Sequence, residues 1–146
     1  MPIVDYPFLD LDGSPKPVLP VVLTNPANDF CYQTWGLIDT GADSTAIPDF
    51  IAKALYHDIE NQAVIRRPCF GIGGEVTTYD HTFRLQVLSI DKDGKILDGK
   101  PAIRINSRLF SVVKGLRTMI LGESDFLAKY VLSINYPKKK FSLKLP

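Results

Sequence analysis

The residues best placed to do chemistry lie in Trp35-Gly36-Leu37-Ile38-Asp39-Thr40-Gly41-Ala42-Asp43-Ser44-Thr45-Ala46-Ile47-Pro48. Two aliphatic residues deliver Asp39, and a hydroxyl, a glycine and a small side chain follow it at once. A strand ending here fixes the position of the carboxylate. Gly41 lets the backbone turn tightly, so that its N–H can point at Asp39. The Thr40 hydroxyl can bond to backbone across an interface and hold the loop rigid. Ala42 leaves space. A carboxylate held in this way can act as a general acid or base. The tripeptide Asp39-Thr40-Gly41 alone is a weak signal, since strands often end in Asp-Gly-type turns. Its context is more specific: aliphatics before it, Ala42-Asp43-Ser44-Thr45 after it, and a helix start beyond Ile47-Pro48.

Two further segments stand out. Phe70-Gly71-Ile72-Gly73-Gly74 is a glycine cluster between strand-like runs, and Met119-Ile120-Leu121-Gly122 is a short apolar run closed by glycine. The glycine cluster lacks the Lys-Ser/Thr of a phosphate loop and the three-glycine dinucleotide fingerprint. Glu75 next to it would repel phosphate. A hairpin whose backbone can pair with an extended peptide fits better.

The elements that must position these residues are mostly strands. Val18–Leu23 and Cys31–Ile38 read as strands joined by an Asn25–Asp29 turn. Pro48–Tyr56 reads as a short helix, with Pro48 at its first position and Phe50, Ile51, Ala54 and Leu55 as its apolar stripe. Residues 63–90 return to strand character around the glycine cluster. Asp91–Lys95 is a hairpin turn; it carries a D-x-D-G fragment without the later acids of a calcium loop. Residues 102–113 hold one strand and a loop, and Thr118–Leu121 is a short buried strand. Ser124 is placed to cap a helix over Asp125–Lys129. Val131–Asn135 and Phe141–Leu145 form a closing hairpin. Residues 1–17 read as an extended N-terminal arm, since prolines 2, 7, 15 and 17 forbid a helix there. Its apolar residues imply that it packs on something, with a partner subunit as one candidate surface. The pattern is all-β, closed or barrel-like, with two brief helices in a single domain over 1–146.

Bulk composition excludes several classes of function. With 146 residues the chain fits one domain, and a net charge of +1 gives no long-range pull toward nucleic acid or an anionic membrane. Lys138-Lys139-Lys140 reads as a solvated turn. No apolar run is long enough to span a bilayer, and the N-terminus has no leader-like segment. The expected setting is the cytoplasm. Cys31 and Cys69 have no zinc-type spacing and are expected as buried or half-buried thiols.

The Asp39 segment, the glycine cluster and the Met119–Gly122 run, in that order, closely resemble the active-site loop, the flap tip and the loop-enclosing strand of retroviral aspartic proteases and their cellular and bacterial relatives. The likeness covers roughly residues 20–136. It implies a closed β-barrel with a flap hairpin, acting as a homodimer on an extended peptide or protein, without metal or organic cofactor. It casts Asp39, Thr40 and Gly41 as catalytic, and Ala42, Asp43, Ser44, Gly71, Ile72, Gly73, Gly74 and Ile120 as substrate-binding. Leu37, Ile47, Ile72, Leu116 and Ile120 are expected to line apolar subsites. Such chemistry needs two carboxyls, and no second copy of the tripeptide occurs, so the second must come from another subunit. The alternative is a catalytically silent peptide-binding or dimerisation module. One departure is Glu123, where the viral enzymes carry an arginine that pairs with the loop acid. The partner of Asp43 must then come from elsewhere, with Arg84, Arg104, Arg108 and Arg117 as the choices.

Ala42 generates a test. A serine there could donate a hydrogen bond to the ionised carboxyl pair and lower its pKa, whereas alanine leaves it higher. Ala42→Ser is therefore expected to move the acid limb of the pH–rate profile to lower pH. A limb that stays in place or moves up contradicts this reading.

Overall fold

A computed structural model describes residues 3–61, 64–71 and 74–146. Among the described residues, twelve strands, one α-helix and one 3-10 turn make a mostly β structure. The N-terminal arm holds β1 (Ile3–Pro7), β2 (Leu9–Leu11) and β3 (Ser14–Lys16). Next come β4 (Val18–Thr24), β5 (Cys31–Ile38), β6 (Ala46–Pro48) and helix α1 (Asp49–Ala54). The hairpin strands β7 (Arg66–Gly71) and β8 (Gly74–Val87) follow, then β9 (Ile103–Val113) and β10 (Met119–Leu121). A 3-10 turn (Leu127–Lys129), β11 (Val131–Asn135) and β12 (Lys140–Lys144) complete the chain.

The main sheet runs β4-β5-β10-β6-β9-β8-β7, and β4 also pairs with β8. The pairings thus lead from β4 around to β8 and back. Strand β8 records this in its burial. Its first residues are exposed where it pairs only with β7, and from Thr78 onward buried and partly buried residues mix where it faces the core. The core gathers Leu19, Leu23, Ile47, Ile51, Phe83, Leu85, Phe110, Met119 and Leu121, all below 2% exposed. Burying a side chain of this size is worth about 1.5–3 kcal/mol, which makes this cluster the main stabilising feature.

The arm is not a free extension. β1 pairs with β12, which pairs with β11, in a separate three-stranded sheet. Ile3, Tyr6, Phe141 and Leu143 are buried there, and the Tyr6 hydroxyl accepts the Ile90 N–H at 3.3 Å. What the arm packs on is its own C-terminal hairpin. β2 and β3 form a small hairpin across Asp12-Gly13, both at positive φ (52° and 85°), as a tight two-residue turn demands. The arm, expected as extended throughout, thus folds back on itself at this turn.

Helix α1 starts one residue later than expected. Pro48 precedes it, and Asp49 is the first helical residue. The start sets the rotation, so Ile51, Ala52 and Leu55 face the core, while Phe50 is exposed and meets Tyr32 edge-on at 6.1 Å. The 25–29 turn closes the far end. Both Asn25 and Asn28 donate side-chain amides to the Leu55 carbonyl, at 2.8 and 3.1 Å, satisfying a helix-end acceptor. The expected helix over Asp125–Lys129 is reduced to the 3-10 turn, and no side chain caps it. The 102–113 segment is one continuous strand, because β8 offers it a long partner. Both cysteines are free and exposed, against expectation, since they sit on strand positions that face outward. Among the described residues no helix is long and apolar enough to cross a membrane.

A half-buried imidazole makes the fold acid-sensitive. His57 lies against Phe83 and His81, with ring centroids at 4.5 and 4.9 Å, and its Nε2 is shut from solvent with no hydrogen-bond partner among the described residues. Burial, and then the neighbouring His81, push its pKa down to about 4. The unfolded chain binds this proton near the ordinary value of about 6.5, so stability is complete above that pH and is lost as pH falls toward about 4. His57→Phe keeps an aromatic ring and removes the linkage. The fall in Tm between about pH 7.5 and about pH 4.5 should be smaller in the variant than in the wild type. Equal falls in thermal melts would contradict this.

Candidate functional site

Strand β5 carries Ile38 and then Asp39 to the end of its ladder. Ile38 N–H donates to Pro17 O at 3.0 Å, and Asp39 N–H donates to Leu121 O at 3.1 Å. Backbone on both sides thus fixes where the Asp39 side chain begins. Gly41 N–H then donates to Asp39 Oδ1 at 2.9 Å, the contact that the sequence led us to expect. A Cβ on residue 41 would sit 3.3 Å from that oxygen, close enough to crowd it. Asp39 is half-buried, and among the described residues Oδ2 has no hydrogen-bond partner.

The loop from Asp39 to Thr45 is held by the segment that follows β10. β10 lies between β5, to which it is parallel, and β6, to which it is antiparallel. The chain from β5 to β6 must therefore pass over the end of β10. Glu123 N–H donates to Ala42 O at 2.9 Å, and Ser124 N–H to Asp43 O at 2.8 Å. Gly122 N–H donates to Thr45 Oγ1 at 3.2 Å, and Thr45 N–H donates to both oxygens of Asp125, at 2.9 and 3.1 Å. Thr45 and Asp125 are both buried. Gly122 approaches so closely that a Cβ would lie 2.2 Å from Ser44 carbonyl carbon. Any side chain there would force these two backbones apart.

Sequence reasoning missed the Thr45–Asp125 contact. Its only sequence trace is a pair of polar residues beside apolar runs, 80 positions apart. Ser124, expected as a helix cap, instead gives its backbone N–H to the loop, at Asp43 O.

Two clefts flank Asp39. The first, about 260 Å³, brings together the predicted Gly41, Ala42, Asp43, Ser44 and Ile120. Leu116 joins them, as do Cys69 and Val76 of the β7–β8 hairpin. The second cleft, about 580 Å³, is lined by Leu37 and Asp39 together with Phe8, Lys16, Tyr136 and Lys139. Gly71 and Gly74 pair with each other at the hairpin end. The remaining hairpin calls, Ile72 and Gly73, lie outside the described residues. Ile47 belongs to neither cleft: it is fully buried, because its side chain points into the core from β6. Thr40 and Gly41 are exposed, and so is Asp43. None of the ion pairs among the described residues includes Asp43. Of its four suggested partners, Arg84 reaches Asp29 instead, at 3.9 Å.

A third cavity, about 710 Å³ and larger than either cleft, is elsewhere and shares no lining residue with them. His57, His81 and Asp80 line it, but Asp80 is bound by Arg67 at 2.8 Å and His81 Nε2 meets Ile59 O at 3.1 Å. Among the described residues no serine or cysteine lines it. Its size is no match for the chemistry at Asp39, where a carboxylate is fixed on one oxygen and open on the other. Among the described residues no group of three or more metal-binding side chains occurs. No family model matches the chain, and no curated protein matches it.

Proposed function

We infer that the chain is an aspartic endopeptidase of the retroviral type, in which two subunits each supply Asp39 to one site. The observation that carries this reading is the Asp39 carboxylate, half-buried at a cleft mouth with Oδ1 bound by Gly41 N–H and Oδ2 unbonded among the described residues. The exposure of Thr40 and Gly41 supports it, because an apposed copy would cover them. So does Asp43, exposed and without an ion pair among the described residues. The return of the pairings from β8 to β4 supports a closed barrel. Cys69 and Val76, lining the first cleft, support the role of the β7–β8 hairpin as a flap.

The mechanism follows from putting two such carboxyls together. Like charges at short range cannot both ionise easily, so the pair holds one proton. The ionised carboxyl takes a proton from a water, which attacks the peptide carbonyl carbon. The protonated carboxyl gives its proton to the carbonyl oxygen. The roles then exchange, a proton passes to the leaving nitrogen, and the C–N bond breaks. The hairpin backbone pairs with the substrate as an added strand. The scheme calls on no metal or organic cofactor.

A mixture of random peptides, followed by mass spectrometry, tests the reading. The wild type should cut a defined subset, and Asp39→Asn should lose essentially all cleavage, about a thousandfold or more. Cleavage that persists in the variant contradicts the mechanism. A wild type that cuts nothing favours the silent peptide-binding or dimerisation module.

A further inference from the structure

The two clefts beside Asp39 differ in charge. Lys16 and Lys139 contribute two cations to the second, where Asp39 is the only acid among the described residues. The ion pairs among the described residues use Lys53, Arg67, Arg84 and Lys114, so both lysines and Asp39 stand outside them. Phe8 and Tyr136 line the same cleft edge to face, centroids 6.0 Å apart at 87°.

Backbone contacts hold both lysines in place. Lys16 ends β3, paired with Leu9, and the next carbonyl, Pro17 O, accepts Ile38 N–H beside Asp39. Lys139 ends the turn between β11 and β12. Its N–H donates to Tyr136 O at 3.2 Å, and its carbonyl accepts Phe8 N–H at 2.8 Å. Lys139 also has φ +52°, a left-handed conformation that glycine or asparagine adopts with less strain. A strained residue on a cleft wall points to a use for its side chain. Here it places a second exposed lysine on the cleft that Lys16 also lines.

We propose that this cleft binds a carboxylate of the substrate, either an Asp or Glu side chain or the peptide's C-terminal carboxylate. Lys16 and Lys139 hold the charge, and Phe8 and Tyr136 pack the aliphatic stem. The lysines offset the repulsion that a substrate carboxylate meets from the Asp39 pair. The proposal rests on the peptidase reading for its substrate class, and it adds a preference that the Asp39 chemistry alone does not require.

The test uses random peptides in two pools, one containing Glu and one with every Glu replaced by Gln, each made with free and with amidated C-termini. Cleavage is measured on the wild type, Lys16→Gln, Lys139→Asn and Lys139→Arg. Binding of the same pools is measured on Asp39→Asn. Asn suits the left-handed position and Arg keeps the charge. The wild type should favour Glu over Gln, or free over amidated termini, and the favoured arm identifies the source of the carboxylate. That ratio should fall roughly five- to tenfold in Lys16→Gln and Lys139→Asn and persist in Lys139→Arg. Cleavage without a carboxylate preference, or with one that the variants leave unchanged, overturns the subsite while the peptidase reading stands. Carboxylate-dependent binding without any cleavage, lost when Lys16→Gln or Lys139→Asn is added to Asp39→Asn, keeps the subsite and removes the peptidase reading. Neither binding nor cleavage overturns the subsite.

Discussion

The contact between Gly122 and Ser44 constrains everything around Asp39. β10 is inserted between β5 and β6, so the loop joining those two strands has to cross its end. The crossing works because residue 122 has no side chain. Once the backbones touch, the N–H groups of residues 122, 123 and 124 all find acceptors on the 42–45 segment. Asp125 returns the arrangement by accepting Thr45 N–H. Buried backbone groups left without partners would cost about 1–3 kcal/mol each, so the crossing is stable only as a complete set.

That clamp explains how a carboxylate on a loop can be as well placed as one on a strand. Asp39 is held by Leu121 O from one side and by Gly41 N–H from the other. The same clamp leaves Thr40 and Gly41 at the surface. On the proposed reading, a single subunit presents half of a carboxyl pair. Symmetry would supply the other half without any further catalytic residue in the sequence.

The sequence disclosed what depends on neighbouring residues and concealed what depends on distant ones. Strand β5 runs over Cys31–Ile38, as its β-branched and aromatic residues imply, and the short apolar run at Met119–Leu121 is a strand as expected. The Gly41 N–H contact was legible because donor and acceptor lie two residues apart. Asp125 was read as part of a helix, since local pattern carries no trace of its contact with Thr45. Ile47 looked like a cleft residue because it sits near Asp39 in sequence, but strand alternation turns it into the core. The arm's apolar residues suggested a partner subunit, whereas β1 pairs with β12 of its own chain, a pairing that spans nearly the whole sequence. Lys139 drew notice only as part of a lysine run, because its φ and its place beside Asp39 belong to the folded chain.

The claim that two subunits share one site is tested most directly by mixing. Wild type and Asp39→Asn are combined at a fixed total concentration under conditions where subunits exchange, and cleavage is followed as the wild-type fraction is lowered. A site built from both Asp39 residues is lost in every mixed pair, so activity should follow the square of that fraction and fall to about a quarter in an equal mixture. Activity that falls in proportion, to about half, would show that each subunit works alone and would contradict the account.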